Sequence, residues 1–273
     1  MGVSAAVNAF DLQGHRGARG HAPENTLPGF ERALAIGVTT LELDVGVTRD
    51  GVVVIHHDRR LNSDITRGPD GRWIASPAGP LVSELTFEEL QRYDVGRIRP
   101  GSEYAQRFPR QQPIDGTRIP KLSELLDRNR LGTVRFNIET KISPETPGDT
   151  LPPEPFARAL IAEIRKAGVA KRSMIQSFDW RTLKVVEQEA PEIATAYLTG
   201  TKNSDPQQVH AAGGRIWSPD FQQLSRENVA AARRLGMKII PWTVNEPADI
   251  RRVLELGVDG IISDYPERVR AAL

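Results

Sequence analysis

The sequence predicts an α/β fold, a (β/α)8 TIM barrel with an insertion after a hairpin on the second strand. Three observations carry this. Short β-type runs alternate with helical stretches along most of the 273 residues, the pattern that builds parallel strands joined by helical crossovers. Asp50-Gly51 separates two apolar runs, a strong hairpin signal; it takes one of nine strand candidates out of the parallel set and leaves eight. No dinucleotide-type turn follows the first strand, because Gly14-His15-Arg16-Gly17 has the wrong spacing for G-x-G-x-x-G.

The elements follow in order. The first strand is expected at 11–15 and the first helix at 27–36, where Asn25 or Thr26 can cap it and Gly37 can stop it. The second strand, 40–47, is apolar apart from its acids and reads as a buried parallel strand. The run 52–57 folds back on it. With Asp50-Gly51 as a two-residue loop, Arg49 faces Val52 and Asp44 lies opposite His57, with Glu42 on the same face as Asp44. His56 then points to the other face. Strands at 133–139, 173–177, 194–198, 215–218, 238–243 and 260–263 complete the set. Helical patterns at 122–130, 156–167, 180–189, 205–212, 226–235 and 247–256 lie between most of them, and Gly168, Gly213, Gly236 and Gly257 follow several last turns.

Residues 59–121 break the alternation. They are rich in Arg, Pro and Gly, with one helical stretch at 87–93. A structureless loop of that size is unusual inside a domain, so the segment is expected to be an insertion folded over the barrel mouth. Its aromatics Phe87, Tyr93, Tyr104 and Phe108 read as a small local core. The domain plan is therefore a disordered N-terminal segment, 1–10, and one barrel domain, 11–273, that includes the insertion.

Composition narrows the function. Lys plus Arg is 36 and Asp plus Glu is 35, a net charge of +1, so neither a nucleic-acid footprint nor a polybasic membrane anchor is expected. The chain has no cysteine, which excludes disulfide frameworks, thiolate metal sites and cysteine nucleophiles. No apolar run approaches the roughly 18 residues of a membrane span. The small-residue start suggests the trailing end of a trimmed signal peptide or an ordinary disordered terminus. Periplasmic or secreted location is expected, with the cytoplasm as the alternative.

The chemistry concentrates where strands end. Acids are depleted in strands, yet Glu42 and Asp44 sit inside one and Glu139 ends another. Inward carboxylates repel unless a cation or protons compensate, and three of them with only oxygen donors suit one divalent cation, Mg2+ or Ca2+. His15 and Arg16 close the first strand, at the face where barrel enzymes place their active sites. The following helix N-terminus points to the same mouth, where its dipole favours an anion. Arg16 and Lys141 can neutralise phosphate, and His15 and His57 can divide the acid and base roles. This set suits phosphoryl chemistry at an ester.

The blocks H-R-G-A-R-G-H-A-P-E-N-T, L-E-L-D-V-G-V-T-R-D-G-V-V-V-I-H-H-D, I-P-K-L-S-E-L-L, N-I-E-T-K, P-W-T-V-N and D-G-I-I-S-D-Y-P resemble the glycerophosphodiester phosphodiesterase family, in order from His15 to Pro266. The resemblance implies a (β/α)8 barrel with an insertion after the H-D motif. It also implies hydrolysis of glycerophosphodiesters, such as glycerophosphocholine or glycerophosphoethanolamine, to glycerol 3-phosphate and an alcohol. It implies Glu42, Asp44 and Glu139 as metal ligands, His15 and His57 as the acid–base pair, and Arg16 and Lys141 as phosphate ligands. Trp242 would pack on the glycerol side, and Glu24, Asn25, Gln176 and Phe178 would complete the substrate pocket. Two readings compete. One is a phospholipase D-like enzyme on lysophospholipids or sphingomyelin, which would need an apolar patch at the mouth. The other is a non-catalytic barrel that only binds phosphodiesters. The partner in each case is a small molecule or lipid, with no stable membrane insertion; the oligomeric state is not legible.

Overall fold

Eight parallel strands surround the core, in the spatial order 238–239, 216–219, 194–199, 173–177, 135–140, 40–47, 11–14 and 260–263. The computed structural model describes residues 10–75, 79–200 and 205–273; residues 1–9 of the expected N-terminal segment lie outside them. The strands are β1 (Asp11–Gly14), β2 (Thr40–Val47), β4 (Arg135–Thr140), β5 (Ser173–Ser177), β6 (Ala194–Thr199), β7 (Ile216–Pro219), β8 (Lys238–Ile239) and β9 (Gly260–Ser263). β3 (Val53–Ile55) pairs antiparallel with β2. The helices packed outside the strands are α1 (Leu27–Ile36), α4 (Leu122–Arg128), α5 (Pro153–Lys166), α6 (Trp180–Glu189), α7 (Pro206–Ala211), α8 (Arg226–Arg234), α9 (Pro247–Glu255) and α10 (Pro266–Arg270).

β8 is shorter than its apolar run suggests. Pro241 has no N–H to give the ladder, so regular pairing ends at Ile239. The seam to β9 is closed by three backbone bonds: Asp259 N–H to Ile239 O (2.9 Å), Ile262 N–H to Pro241 O (3.0 Å) and Val244 N–H to Ile262 O (3.0 Å). This completes the barrel of eight parallel strands.

The interior is chemically divided. Met174, Ala196, Ile240 and Ile262 form an apolar cluster within the barrel. Gln13, Glu42, Asn137 and Gln176, all at most 1 % exposed, form a polar layer. Asn137 donates to Gln13 Oε1 (2.8 Å) and Gln176 Oε1 (2.9 Å), and Gln176 Nε2 donates to Glu42 (2.7 Å). These bonds offset most of the cost of burying the layer; Asn137 Oδ1 alone among its side-chain atoms is buried without a partner.

The hairpin register differs from the expectation by one residue. Val47 pairs with Val53 and Val45 with Ile55, and Thr48 N–H bonds Val52 O at 3.0 Å. The loop is therefore the three residues Arg49-Asp50-Gly51. A two-residue type I′ loop needs positive φ at both centres, but Gly51 alone adopts it (φ 80°). Asp50 instead turns its carboxylate to Thr48 Oγ1 (2.5 Å) and to the N–H of Phe87 (3.0 Å). The result is a three-residue turn closed by a left-handed glycine. In this register Asp44 faces His56, whose N–H bonds Asp44 O at 3.0 Å. A one-residue slip alone would turn His57 away. β3 ends at Ile55, however, and the chain leaves the ladder, which returns His57 to the site.

The insertion carries two short helices, α2 (Phe87–Leu90) and α3 (Glu103–Arg107). Its own core gathers Leu61, Val82, Leu90, Val95 and Ile119 on Val54, with Phe87 and Tyr93 packed against them. Tyr104 and Phe108 pair with each other instead, ring centroids 5.1 Å apart. Tyr104 reaches the barrel mouth.

Candidate active site

The parallel register of β2 and β4 sets Asp44 beside Glu139, and Glu42 lies two residues earlier on the same face. Each of the three offers an oxygen within 4.8 Å of the others, and all are buried. Glu42 accepts from Gln176 and from the Arg16 N–H (2.8 Å). Asp44 accepts from Asn25 Nδ2 (2.8 Å), while its own N–H donates to Asn25 Oδ1 (3.2 Å). Asp44 Oδ1 is buried without a hydrogen bond. Lys141 Nζ stands 2.6 Å from Glu139 and 3.6 Å from Asp44.

Charge is unevenly shared in this cluster. Burial, then the neighbouring Asp44 carboxylate, pushes Glu42 well above the usual carboxylate range. Asp44 moves the other way: burial opposes it, but His57, Lys141 and Arg16 hold it far below that range. Glu139 is raised, chiefly by burial. Three close carboxylates, with one buried oxygen that lacks a hydrogen bond, form an all-oxygen donor set that fits a hard divalent cation.

The loop after β1 supplies the cations. Arg16 bonds Glu24 (2.8 Å) and lies 3.3 Å from Asp44. The loop rests on the first turn of α1: a Cβ at Gly17 (φ 87°) would stand 2.7 Å from the Gly29 carbonyl carbon, so only glycine fits there. Thr26 caps α1 by accepting from the Gly29 N–H. No α1 residue lines the cavity; the helix N-terminus lies behind the residues that do.

Both histidines are oriented by a carboxylate. His15 Nδ1 lies 2.7 Å from Asp264, and His57 Nδ1 lies 2.7 Å from Asp58. An ionised carboxylate only accepts, and Asp264 at 2.7 Å prevails over the Arg19 donor 3.1 Å from the same His15 nitrogen, so Nδ1 carries a proton in each ring and Nε2 is left for the cavity. Arg19 binds Asp264 through Nε (2.7 Å) and a terminal nitrogen (3.1 Å). Burial and the Arg19 charge outweigh Asp264 and lower the His15 imidazole to about 4. His15 is therefore neutral at neutral pH, with its lone pair on Nε2.

A cavity of about 300 Å³ collects these groups. His15, His57, Arg16, Lys141, Glu42 and Glu139 line it, and so do Gln176, Phe178 and Trp242. Phe178 and Trp242 meet edge to face at 5.4 Å. Glu24 and Asn25, expected in the pocket, lie behind its wall: Glu24 braces Arg16, and Asn25 clamps Asp44. His56 is buried outside the cavity.

Sequence reasoning missed Asp264, Asp58, Arg19, Tyr104 and Arg107. Arg19 and Asp264 stand inside quoted motif blocks, and Asp58 follows His57 directly, so a signal existed for these three. Nothing local marks Tyr104 or Arg107.

The model of the glycerophosphoryl diester phosphodiesterase family matches residues 15–268. A glycerophosphodiester phosphodiesterase of Caldanaerobacter subterraneus subsp. tengcongensis is 32% identical over 255 residues, covering 93% of each chain. One from Bacillus subtilis is 32% identical, over 93% of this chain and 83% of its own. A crystal structure from Silicibacter pomeroyi, of the same family by its name, superposes with a TM-score of 0.92 at 39% identity, over 97% of this chain and 93% of the other. An Oleispira antarctica phosphodiesterase solved with the product sn-glycerol-3-phosphate shares the fold, with a TM-score of 0.73 at 23% identity over 95% of both chains.

Proposed function

The chain belongs to the glycerophosphoryl diester phosphodiesterase family, and on that premise we propose that it hydrolyses small glycerophosphodiesters to glycerol 3-phosphate and an alcohol, with histidine acid–base catalysis and one divalent cation. The observation that carries this reading is the convergence on one cavity of two carboxylate-tethered imidazoles with Glu42 and Glu139, whose carboxylates cluster with that of Asp44 behind them. Glu42, Asp44 and Glu139 would hold Mg2+ or Ca2+. When bound, such a cation neutralises the triad, polarises the phosphoryl group and makes a nearby hydroxyl more acidic.

The protein's own groups divide the remaining work. Arg16 and Lys141 balance the charge on the phosphate oxygens. Neutral His15 accepts the proton of the attacking hydroxyl, from the glycerol or from water, at Nε2, while Asp264 fixes its tautomer. His57, whose Nδ1–H is held by Asp58, enters the step as the imidazolium and gives its Nε2 proton to the departing alcohol. Trp242 and Phe178 offer an apolar face to the glycerol carbons. Among the described residues no helix is long and apolar enough to cross a membrane. The insertion's aromatics pack on one another and on its core, which supports a small substrate over a lysolipid.

The test is release of glycerol 3-phosphate from glycerophosphocholine, with and without EDTA. Turnover that stops with EDTA, returns with Mg2+ or Ca2+, and is lost in a folded His57→Ala variant is expected. No release with any divalent metal would overturn the reading.

A further inference from the structure

Four permanently charged cations line the cavity: Arg16, Arg19, Lys141 and Arg107. Three are neutralised within the protein. Arg16 pairs with Glu24 at 2.8 Å, Arg19 with Asp264 at 2.7 Å, and Lys141 with Glu139 at 2.6 Å. Among the described residues Arg107 has no carboxylate within 4.0 Å and no side-chain hydrogen-bond acceptor. It is an exposed residue that stands beside two aromatic rings. Its guanidinium carbon lies 5.8 Å from the Tyr104 ring centroid and 5.7 Å from that of Phe108, and Phe108 is buried.

The helix that bears it is fastened to the site. Tyr104 donates its hydroxyl proton to Glu24, the partner of Arg16, and accepts from Arg19 at 3.0 Å. Arg19 in turn stacks on Phe108, 4.5 Å from its centroid. α3 is thus locked to the loop after β1, and Arg107, one turn beyond Tyr104, is held at the rim with its charge unanswered. The rim acid Asp58 makes no ion pair with it within 4.0 Å and instead holds His57 (2.7 Å) and Asn62 (2.8 Å). An exposed arginine fork that lines a ligand cavity and has no carboxylate partner among the described residues is suited to a carboxylate or phosphate oxygen pair.

We propose that Arg107 is a specificity-determining residue that selects diesters whose leaving alcohol carries a second anionic group, and that this chain favours such esters over otherwise identical ones lacking it. The inference rests on the phosphodiesterase reading above. The diester phosphate is served at the cavity floor by Arg16 and Lys141, and the glycerol by Trp242 and Phe178. The alcohol arm then runs along the α3 wall, where Arg107 meets it.

Glycerophosphoserine and glycerophosphoethanolamine differ by one carboxylate, so the ratio of their kcat/KM values isolates the contact. The wild type is expected to favour the serine ester. Arg107→Gln should lower the ratio about ten- to hundredfold, the range of one hydrogen-bonded charge contact, and Arg107→Glu should invert the preference. Arg110→Gln removes a neighbouring charge outside this cavity and should change the ratio less than twofold. A ratio in Arg107→Gln within twofold of wild type overturns the proposal. So does an equal fall in Arg110→Gln, which would reduce the effect to long-range charge. Wild-type turnover of neither ester would instead count against the parent reading. Calorimetric Kd values of the two esters for wild type and Arg107→Gln then decide the role of Arg107 by the same ratio.

Discussion

Replacing Asp264 by Asn tests stability and catalysis through one atom. The carboxylate is 1 % exposed and accepts from Arg19 Nε (2.7 Å), a second Arg19 nitrogen (3.1 Å), His15 Nδ1 (2.7 Å) and Asn245 Nδ2 (2.8 Å). The amide keeps one acceptor and turns two donors toward groups that are themselves donors. Arg19, 5 % exposed, is left with Glu24 at 3.9 Å as its nearest counter-charge. Breaking one side of a buried pair costs about 3–5 kcal/mol; since Asn preserves shape and one bond, about 3 kcal/mol is expected. For a chain of this size that is roughly 6–12 °C in Tm.

The same change should affect the chemistry. An amide donor facing His15 Nδ1 favours the other tautomer, which places the proton on Nε2 and removes the base. kcat should fall on the order of a thousandfold while the variant remains folded. The pH dependence carries a definite sign. Burial raises the Asp264 carboxyl, but Arg19 and His15 hold it well below the ordinary range. Its contribution is therefore complete above the unfolded value of about 3.9 and is lost as pH falls through and below that value. Urea denaturation should show a constant gap between wild type and Asp264→Asn from roughly pH 5 to 8, closing in acid. A folded variant within tenfold of wild-type kcat, or a gap that widens as pH falls, would refute this account.

Three further outcomes follow from the geometry. Relief of the mutual repulsion within the carboxylate triad should let a divalent cation at about 100 Kd add about 2.7 kcal/mol of stability, roughly 5–10 °C by calorimetry; an unchanged Tm across Mg2+ and Ca2+ titrations would count against the metal site. Asn25→Ala removes both bonds that clamp Asp44 and should weaken cation binding roughly tenfold or more by isothermal titration, whereas wild-type affinity would leave Asn25 with no positioning role. Gly51→Ala meets no atom within 4 Å, so its cost is the left-handed backbone alone, about 1–2 kcal/mol in denaturant midpoint; a neutral result would speak against the three-residue turn.

The site was legible where chemistry conflicts with local propensity. Acids inside an apolar strand, a histidine and arginine at a strand's end and an Asp-Gly between two strands are anomalies visible without coordinates. They located Glu42, Asp44, Glu139, His15, Arg16 and His57. The hairpin shows how such reading fails. Asp-Gly marked the turn, but whether Asp50 took positive φ depended on Thr48 and on the Phe87 N–H, which lies 37 residues away. The register was misjudged by one, and His57 reached the site because β3 stopped early.

The sequence by itself determined the alternation of elements, the count of parallel strands and the residue types at the strand ends, because periodicity and turn chemistry act over a few residues. The tertiary structure alone decided which of those ends meet. The β2–β4 ladder sets Asp44 beside Glu139, and barrel closure brings Asp264 to His15 across 249 residues. It also decided that Tyr104 reaches Glu24 across 80 residues and so sets Arg107 over the cavity. Such pairings are fixed by ladder register, barrel closure and burial of charge, which act between segments remote in the chain and leave no periodic trace along it.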